Sequence, residues 1–403
     1  MNTLYIASIE GTPPLNYFQK FIYQKEGVDL DIMILPTYKR NFDGVEVESM
    51  INIDSKVHYK TFKCRFIHNQ GLQYFVHYIF VLLGFFSLSK YIKKDFDICI
   101  AEPSFNAAMM FFIKSKIKTK VFMNGDIFIS ANNLTEGQFL QRGQRSVSSK
   151  LIEKFLLFFQ RYIKKIAYKS DLVWYTSKKV YQYEKYHGYI PKKYIIRPGA
   201  GIDYDSISLK HNISNNVIGF IGRLDENAGI DIILNCMEIL INKMPDIELA
   251  VIGGSEEQVQ YYQQYAEKIG VSDNVRFYGF IPSKKQVLEL LSEMKLGLAL
   301  YKPGENNVSY YTQPGKVFDY FMAGLPIIIS KDGPEISNEI AKFGSGLVVE
   351  YNIKSISEAI IKLLNNNKLN QNARIAILDH AKHYSYNEVF SNLLESIEKK
   401  KNI

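Results

Sequence analysis

The stretch Tyr301–Ser330, YKPGENNVSYYTQPGKVFDYFMAGLPIIIS, decides how the rest of the chain is interpreted. Its pattern predicts the end of a strand, a polar loop, a short helix and a second strand. The helix should begin at Pro314 or Gly315, because proline fits the first helical turn. It should end at Gly324, which suits the left-handed position after a helix, and Pro326 prevents its continuation.

Lys316 and Asp319 lie three residues apart near the start of this helix, so they share one face. The free N–H groups and partial positive charge of a helix N-terminus, with Lys316 beside them, suit a diphosphate. The Asp319 carboxylate would accept hydrogen bonds from vicinal hydroxyls, such as those of a ribose. Taken alone, two such residues more often form an ordinary surface ion pair.

The longer run Pro314–Pro326, PGKVFDYFMAGLP, resembles the donor-site signature of GT-B glycosyltransferases, Pro-x-Lys-x-x-(Glu, Asp or Gln)-Tyr-x-x-x-Gly-x-Pro. In that family the signature binds a nucleotide sugar. The run and the loop before it are most similar to the xanthan-type glucuronosyltransferase, within the broader family 4-like group 1. The resemblance implies an α/β fold of two doubly wound parallel-sheet (Rossmann-like) domains that face each other across a cleft.

The chain has 403 residues, more than one hydrophobic core usually supports. Ile195–Asp203, IIRPGAGID, resembles the family's Pro-x-Gly-(Val or Ile)-Asp linker. We therefore expect an acceptor-binding domain over residues 1–205 and a donor-binding domain over residues 206–384. By resemblance, a final helix near residues 385–403 packs back on the first domain.

The second half restarts with a predicted strand that ends in Gly222-Arg223, which is similar to the family's Gly-Arg-Leu. There the arginine reaches the donor phosphates, and a guanidinium binds phosphate oxygens in pairs. Ala228 stands where family members often carry a lysine, so one expected phosphate cation is missing. The resemblance also implies base contacts after the strand that ends at residue 279, and a tyrosine near the phosphates. The implied donor-binding residues are Gly222, Arg223, Phe280, Ile281, Tyr301, Lys316 and Asp319.

We expect the catalytic base directly after one of two predicted strands of the first half, Phe96–Ala101 and Thr119–Met123. Ligands bind at the carboxyl ends of parallel strands. Gly125 stands where many retaining members carry a histidine, and Asp126 is kept. This carboxylate would deprotonate an acceptor hydroxyl as it attacks the anomeric carbon opposite the leaving diphosphate, which inverts that carbon. An aspartate in an ordinary turn fits equally well. Glu102 is the reserve candidate.

Two further positions bear on the reaction. Gly11 and Thr12 follow the first predicted strand, and the resemblance places such a loop near the reacting sugar or diphosphate, although a plain turn would look the same. Retaining members carry two carboxylates separated by seven residues, the second at the Asp319 position. Tyr311 stands at the first, which argues against the usual retaining arrangement.

The charge is uneven along the chain. Residues 1–205 hold 29 Lys and Arg against 18 Asp and Glu (+11), whereas the remainder holds 20 against 23 (−3). A basic first half suits an anionic membrane surface or a phosphate-bearing acceptor such as a polyprenyl-diphosphate-linked saccharide. No nucleic-acid recognition motif accompanies it, so no nucleic acid partner is expected. An apolar stretch at residues 74–88 is too short to span a membrane.

The cysteines Cys64, Cys99 and Cys236 are widely spaced, which predicts neither a disulfide framework nor a metal site. The first ten residues lack the pattern of a signal peptide. We therefore expect a cytoplasmic protein, in peripheral contact with the inner face of the membrane.

The expected activity is transfer of a hexosyl or glucuronosyl group from a nucleotide diphosphate, most simply UDP, to a glycan or lipid-linked saccharide in surface polysaccharide biosynthesis. The resemblance implies neither a metal nor another cofactor. Three alternatives stay open: a retaining transferase, a nucleotide-sugar epimerase, and an inactive nucleotide-sugar-binding protein suggested by Ala228 and Tyr311.

Overall fold

A computed structural model describes residues 1–7, 13–25, 27–35, 56–59, 79, 81–125, 158–199, 201–207, 216–305 and 307–398. The chain divides into two compact units. The N-terminal unit comprises Met1–Gly201 with Val389–Ile403, and the C-terminal unit comprises Ile202–Glu388. The division falls after Gly201 and after Glu388, whereas the sequence placed it after residues 205 and 384.

The described part of the N-terminal unit contains one parallel sheet of seven strands. The strands are β1 (Asn2–Ala7), β2 (Asp29–Ile34), β3 (Lys56–Tyr59), β4 (Phe96–Ala101), β5 (Ile117–Asn124), β6 (Leu172–Tyr175) and β7 (Tyr194–Ile196). The helices are α1 (Pro13–Tyr23), α2 (81–88), α3 (Ser104–Met109), α4 (158–167) and α5 (Lys178–Tyr186).

The sheet order is β3-β2-β1-β4-β5-β6-β7, and every pairing is parallel. The strand order reverses between β1 and β4, so the carboxyl ends of these two strands flank a topological switch point, where ligands bind in open α/β sheets. The loop with Gly11 and Thr12 follows β1 but lies outside the described residues. Glu102 follows β4 directly.

The last helix, α14 (Tyr386–Glu398), contributes an aromatic anchor to the N-terminal unit. The ring centroid of Phe390 lies 5.1 Å from that of Phe18, 5.7 Å from that of Phe21 and 5.9 Å from that of Trp174. All four side chains are almost completely buried. Edge-to-face aromatic pairs of this kind add to the stabilisation from burial.

The C-terminal unit contains a parallel sheet of six strands among its described residues. The strands are β8 (Val217–Ile221), β9 (Glu248–Ile252), β10 (Val275–Gly279), β11 (Leu296–Ala299), β12 (Ile327–Ser330) and β13 (Gly346–Val349). The helices are α6 (Ile230–Lys243), α7 (Glu256–Lys268), α8 (Lys284–Ser292), α9 (Val308–Tyr311), α10 (Gly315–Met322), α11 (Ile336–Phe343), α12 (Ile353–Asn365) and α13 (Asn367–Lys382).

The strand order of this second sheet is β10-β9-β8-β11-β12-β13, which places its own switch point between β8 and β11. Both faces of the sheet are covered. Helices α6, α7 and α12 bury one apolar cluster, and α8, α10, α11 and α13 bury the other. Coverage of both faces explains why the central strands β8, β11 and β12 are nearly continuous apolar runs rather than alternating patterns.

Candidate active site

Helix α10 lies after β11 and has the ends that the sequence predicts. Pro314 precedes it in an extended conformation (φ −75°, ψ 125°), and the helix runs from Gly315 to Met322. Gly324 follows with φ 62°, in the left-handed region that glycine tolerates without strain. Both predicted ends are therefore confirmed, and the first turn of α10 lies beside residues that follow β8 and β11.

Lys316 in this first turn is buried, and its side chain lies between two aromatic rings. Its Nζ is 4.0 Å from the ring centroid of Phe220 in β8 and 4.9 Å from that of Tyr301, which follows β11. Nζ makes no hydrogen bond within the described part of the chain. Burial lowers the pKa of Lys316 to about 7, with nearby Asp225 raising it and Arg223 lowering it further. A cation that contacts two rings and has no hydrogen-bond partner among the described residues is suited to bind an anion.

Two more buried polar atoms near Lys316 in the sequence also have no hydrogen-bond partner among the described residues. They are the hydroxyl of Tyr301 and Oε1 of Gln313. Buried side-chain polar atoms normally have a partner, so Lys316 and Tyr301, whose ring centroid lies 4.9 Å from Lys316 Nζ, indicate a place where a ligand would supply missing bonds. Gln313 was not predicted from the sequence, although it directly precedes Pro314 and the start of the helix.

The backbone of Gly222 lies against Lys316. Its φ is 138°, and a Cβ at residue 222 would come within 3.2 Å of Cε and 3.4 Å of Nζ of Lys316. A Cβ on Gly253, which follows β9, would lie 2.1 Å from the carbonyl oxygen of Gly222. The carboxyl ends of β8 and β9 therefore pack against each other and against the lysine so closely that only glycine fits.

Arg223 extends into solvent next to this site. Its side chain is 66% exposed, and its Nε is 3.5 Å from Oδ2 of Asp225. Such an exposed pair is weak, so the guanidinium remains available to a phosphate. Ala228, at the position of the absent family lysine, is buried in the apolar cluster with α6, α7 and α12.

Asp319, one turn after Lys316, pairs with Lys284 at the start of α8. The sequence-level alternative of an ion pair between Lys316 and Asp319 is therefore wrong. The Asp319 side chain is 16% exposed. Phe280 and Ile281 follow β10, and Phe280 is 58% exposed. An exposed aromatic ring in this loop would suit stacking on a base, and its base contact stays a prediction.

In the N-terminal unit, the structure describes Glu102 and Gly125, whereas Gly11, Thr12 and Asp126 lie outside the described residues. Glu102 accepts a hydrogen bond of 3.0 Å from the Tyr5 hydroxyl, which anchors it at the switch point. The catalytic assignments to Asp126 and Glu102 stay predictions.

A buried hydrogen-bond network holds the end of β5, two residues before Asp126. Asn124 Nδ2 donates to the Tyr168 hydroxyl at 3.0 Å, and this hydroxyl donates to Glu184 Oε2 at 3.1 Å. Glu184 also forms a buried ion pair of 2.6 Å with Lys164 of α4. This ion pair joins Lys164 to the same buried network.

Among the described residues, no three His, Cys, Asp or Glu side chains are grouped as a metal site would need. Metal-independence stays a prediction. None of the described helices is long and apolar enough to cross a bilayer.

Comparisons with known proteins bear on the whole arrangement. Residues 203–377, which include every donor-site residue above, match the family model described as glycosyl transferases group 1. Sucrose-phosphate synthase from Thermosynechococcus elongatus has a similar structure, with a TM-score of 0.68 over 100% of both chains at 12% identity. The C-terminal unit thus matches the group 1 glycosyltransferase family over residues 203–377, and the chain has the GT-B fold.

Two further similar proteins are informative. HepE from Anabaena, solved in complex with UDP-glucose, has a TM-score of 0.66 at 14% identity, covering 99% of this chain and 100% of that one. The D-inositol 3-phosphate glycosyltransferase of Corynebacterium urealyticum is 26% identical over 194 residues, which are 45% of this chain and 43% of that relative. The matched stretch thus spans less than half of this relative. A closer kinship to the xanthan-type enzyme stays a prediction.

Proposed function

We propose that this protein is a glycosyltransferase that moves a sugar from a nucleoside diphosphate donor, UDP in the simplest case, to a glycan or lipid-linked saccharide acceptor. The match of residues 203–377 to the group 1 glycosyltransferases supports the activity. Its structural likeness to HepE, which was solved with UDP-glucose, supports the choice of UDP. A role in surface polysaccharide assembly and the choice between a hexosyl and a glucuronosyl group are further parts of this proposal.

The buried, unpartnered ammonium group of Lys316 carries the proposal. It lies at the N-terminus of α10, next to the switch point between β8 and β11, and ligands bind at such switch points in open α/β sheets. When the bond to the sugar breaks, negative charge develops on the departing diphosphate. A cation and helix N–H groups already in place stabilise this charge without reorganisation, and their effect is large because the site is shielded from water.

We propose an inverting reaction with Asp126 as the general base, as the sequence suggests. The Asn124 end of β5 is held by the buried network through Tyr168 and Glu184, and a fixed attachment of this kind suits a residue that must meet an acceptor hydroxyl. The anomeric configuration of the product, read by NMR, separates this reaction from a retaining one. Conversion of the donor without any acceptor would instead reveal an epimerase.

Binding of UDP tests the donor site. A thermal-shift screen across nucleotide sugars identifies the donor, and calorimetry with UDP then compares the wild type with Lys316→Ala. We expect the substitution to weaken UDP binding by about tenfold to a hundredfold, the usual value of a hydrogen bond to a charged group. Lys268→Ala, at the exposed end of α7, is the matched control. Equal UDP affinity in the wild type and Lys316→Ala would reject the donor-site assignment.

A lipid-linked acceptor requires access to a membrane surface, and α4 offers suitable side chains. Phe158 and Tyr162, one turn apart, are 70% and 59% exposed, and the basic residues Arg161 and Lys165 beside them are exposed as well. Aromatic and basic groups together suit the interface of an anionic bilayer. Co-sedimentation with vesicles containing phosphatidylserine should fall in the double variant Phe158→Ser, Tyr162→Ser. Unchanged co-sedimentation would remove α4 from the proposal.

A further inference from the structure

A contact within the C-terminal unit links the two parts of the donor site that should hold the nucleoside. Lys284 Nζ contacts Oδ1 of Asp319. Lys284 begins α8, four residues after Phe280, and Ser283 caps this helix by accepting a hydrogen bond from the Gln286 N–H at 3.3 Å. The lysine therefore extends from the predicted base-contact loop to the carboxylate that is predicted to bind the ribose.

The second carboxylate oxygen of Asp319, Oδ2, makes no hydrogen bond within the described ranges of the chain. The side chain is largely shielded, with 16% exposure, whereas Lys284 is 50% exposed. A carboxylate that is held through one oxygen keeps the other oxygen as an acceptor in a fixed direction. Ribose offers two adjacent hydroxyls, which can donate hydrogen bonds to such an oxygen.

We infer that Lys284 is a positioning residue that orients Asp319 toward the ribose 2′- and 3′-hydroxyls and so sets the preference of the site for ribonucleotides over 2′-deoxyribonucleotides. This inference rests on the proposed function, because it assumes that a nucleoside diphosphate occupies the site. It concerns Lys284, a residue that neither the donor-site signature nor the family resemblance includes.

The contact has the properties that such a role requires. A carboxylate at the end of a short side chain rotates about χ1 and χ2, and a ligand must fix both torsions when it binds. A partner that has already fixed them reduces this cost, which is the general advantage of preorganisation. A charged acceptor also forms stronger hydrogen bonds than a neutral one.

An opposite role for the same contact makes the reverse prediction. If Lys284 only masked Asp319, ribose would have to displace the lysine, and removing Lys284 would tighten UDP binding. If the pair only joined α8 to α10, its loss would change stability while UDP and 2′-deoxy-UDP were affected equally. The ratio of the two affinities therefore distinguishes positioning from both alternatives.

The test measures the dissociation constants of UDP and 2′-deoxy-UDP by calorimetry for the wild type, Lys284→Met and Asp319→Asn. Methionine keeps the apolar length of the lysine and removes its charge. In the wild type we expect UDP to bind about tenfold more tightly than 2′-deoxy-UDP, the effect of one hydrogen bond to a charged group. In Lys284→Met the ratio should fall to about two to threefold, through weaker UDP binding. Combining Lys284→Met with Asp319→Asn should add nothing to the effect of Asp319→Asn alone.

Arg276→Met is the matched control, because it removes an exposed ion pair of the same kind with Glu248. That pair lies at the amino ends of β9 and β10, whereas the proposed site lies at the carboxyl ends of the strands. The control should keep the wild-type ratio. An unchanged ratio in Lys284→Met, or tighter UDP binding, would overturn the inference and leave the proposed function intact. A wild type that does not bind UDP at all would overturn both.

Discussion

Raising the pH should weaken UDP binding, because the donor site depends on a lysine that loses its proton near neutrality. Burial lowers the pKa of Lys316 to about 7 in the empty site, where Asp225, Arg223, Tyr301 and Asp319 are the nearby ionisable groups. Asp225 raises the pKa of Lys316 and Arg223 lowers it, and neither offsets the burial. A bound diphosphate would raise the pKa strongly, because an opposite charge favours the ammonium form.

The size of the effect follows from the difference between the pKa of Lys316 in the empty site and its pKa with diphosphate bound. If only the protonated lysine binds UDP, about half of the sites are competent at pH 7 and about 1% at pH 9, so the dissociation constant should rise about 50-fold over this range. Between pH 7 and 9 the charge of the diphosphate is nearly constant, because its last ionisation lies at about pH 6. At pH 8 each UDP should bind with uptake of about 0.9 proton.

Calorimetry measures both quantities. Titrations at pH 7, 8 and 9 give the affinity, and repeating the pH 8 titration in phosphate and in Tris, which differ in ionisation enthalpy, gives the proton uptake. Lys316→Arg removes the titration, because a guanidinium stays charged throughout. Lys316→Met should bind UDP weakly and equally at all three pH values. A wild-type affinity that is constant from pH 7 to 9, without proton uptake, would refute the reasoning.

Three other substitutions have clear expected outcomes. Lys316→Met should stabilise the unliganded protein by about 1–3 kcal/mol, because a buried amine without a partner is replaced by an apolar chain of similar length. This gain should be largest below pH 7 and shrink toward pH 10.5, since the pKa of Lys316 is lowered by folding; thermal melts at several pH values measure it. Gly222→Ala should weaken UDP binding, because its Cβ would come within 3.4 Å of Lys316 Nζ; full affinity by calorimetry would contradict this. Asp126→Asn should reduce transfer by about 10² or more while UDP binding is kept, and unchanged turnover would eliminate Asp126 as the base.

The elements that the sequence predicts best have their signals in the chain itself. Helix α10 has proline at one end and glycine at the other, and strand β4 is a short, mainly apolar run that has the predicted bounds. Strand β3 (Lys56–Tyr59) was not predicted. It is a short strand at the edge of its sheet, and pairing with β2 determines its structure more than its own side chains do.

Some features of the candidate site could likewise be predicted from the sequence, whereas others could not. Lys316 and Arg223 could be proposed from the sequence because each lies in a short contiguous motif that resembles the family. The contact of Lys284 with Asp319 joins residues 35 positions apart on different helices, and no periodicity connects them. Likewise, the Tyr301 hydroxyl has no hydrogen-bond partner in the part of the chain that the structure describes, and only the surrounding tertiary structure shows this. Sequence patterns locate the binding groups, and only the tertiary structure shows which of them are paired.

Two buried cations in the C-terminal unit show how pairing separates structure from function. Arg374 donates to Asn370 Oδ1 at 3.0 Å and to the carbonyl oxygens of Gly324 at 2.9 Å and Met294 at 2.8 Å. Its burial is offset by bonds that hold α13 to the end of α10 and the start of β11. Lys316 is buried as deeply and has no hydrogen bond among the described residues, so folding does not offset its desolvation. A buried amine without a hydrogen-bond partner destabilises the protein without ligand and is satisfied when an anion binds, which favours Lys316 over Arg374 as a cation for the proposed ligand.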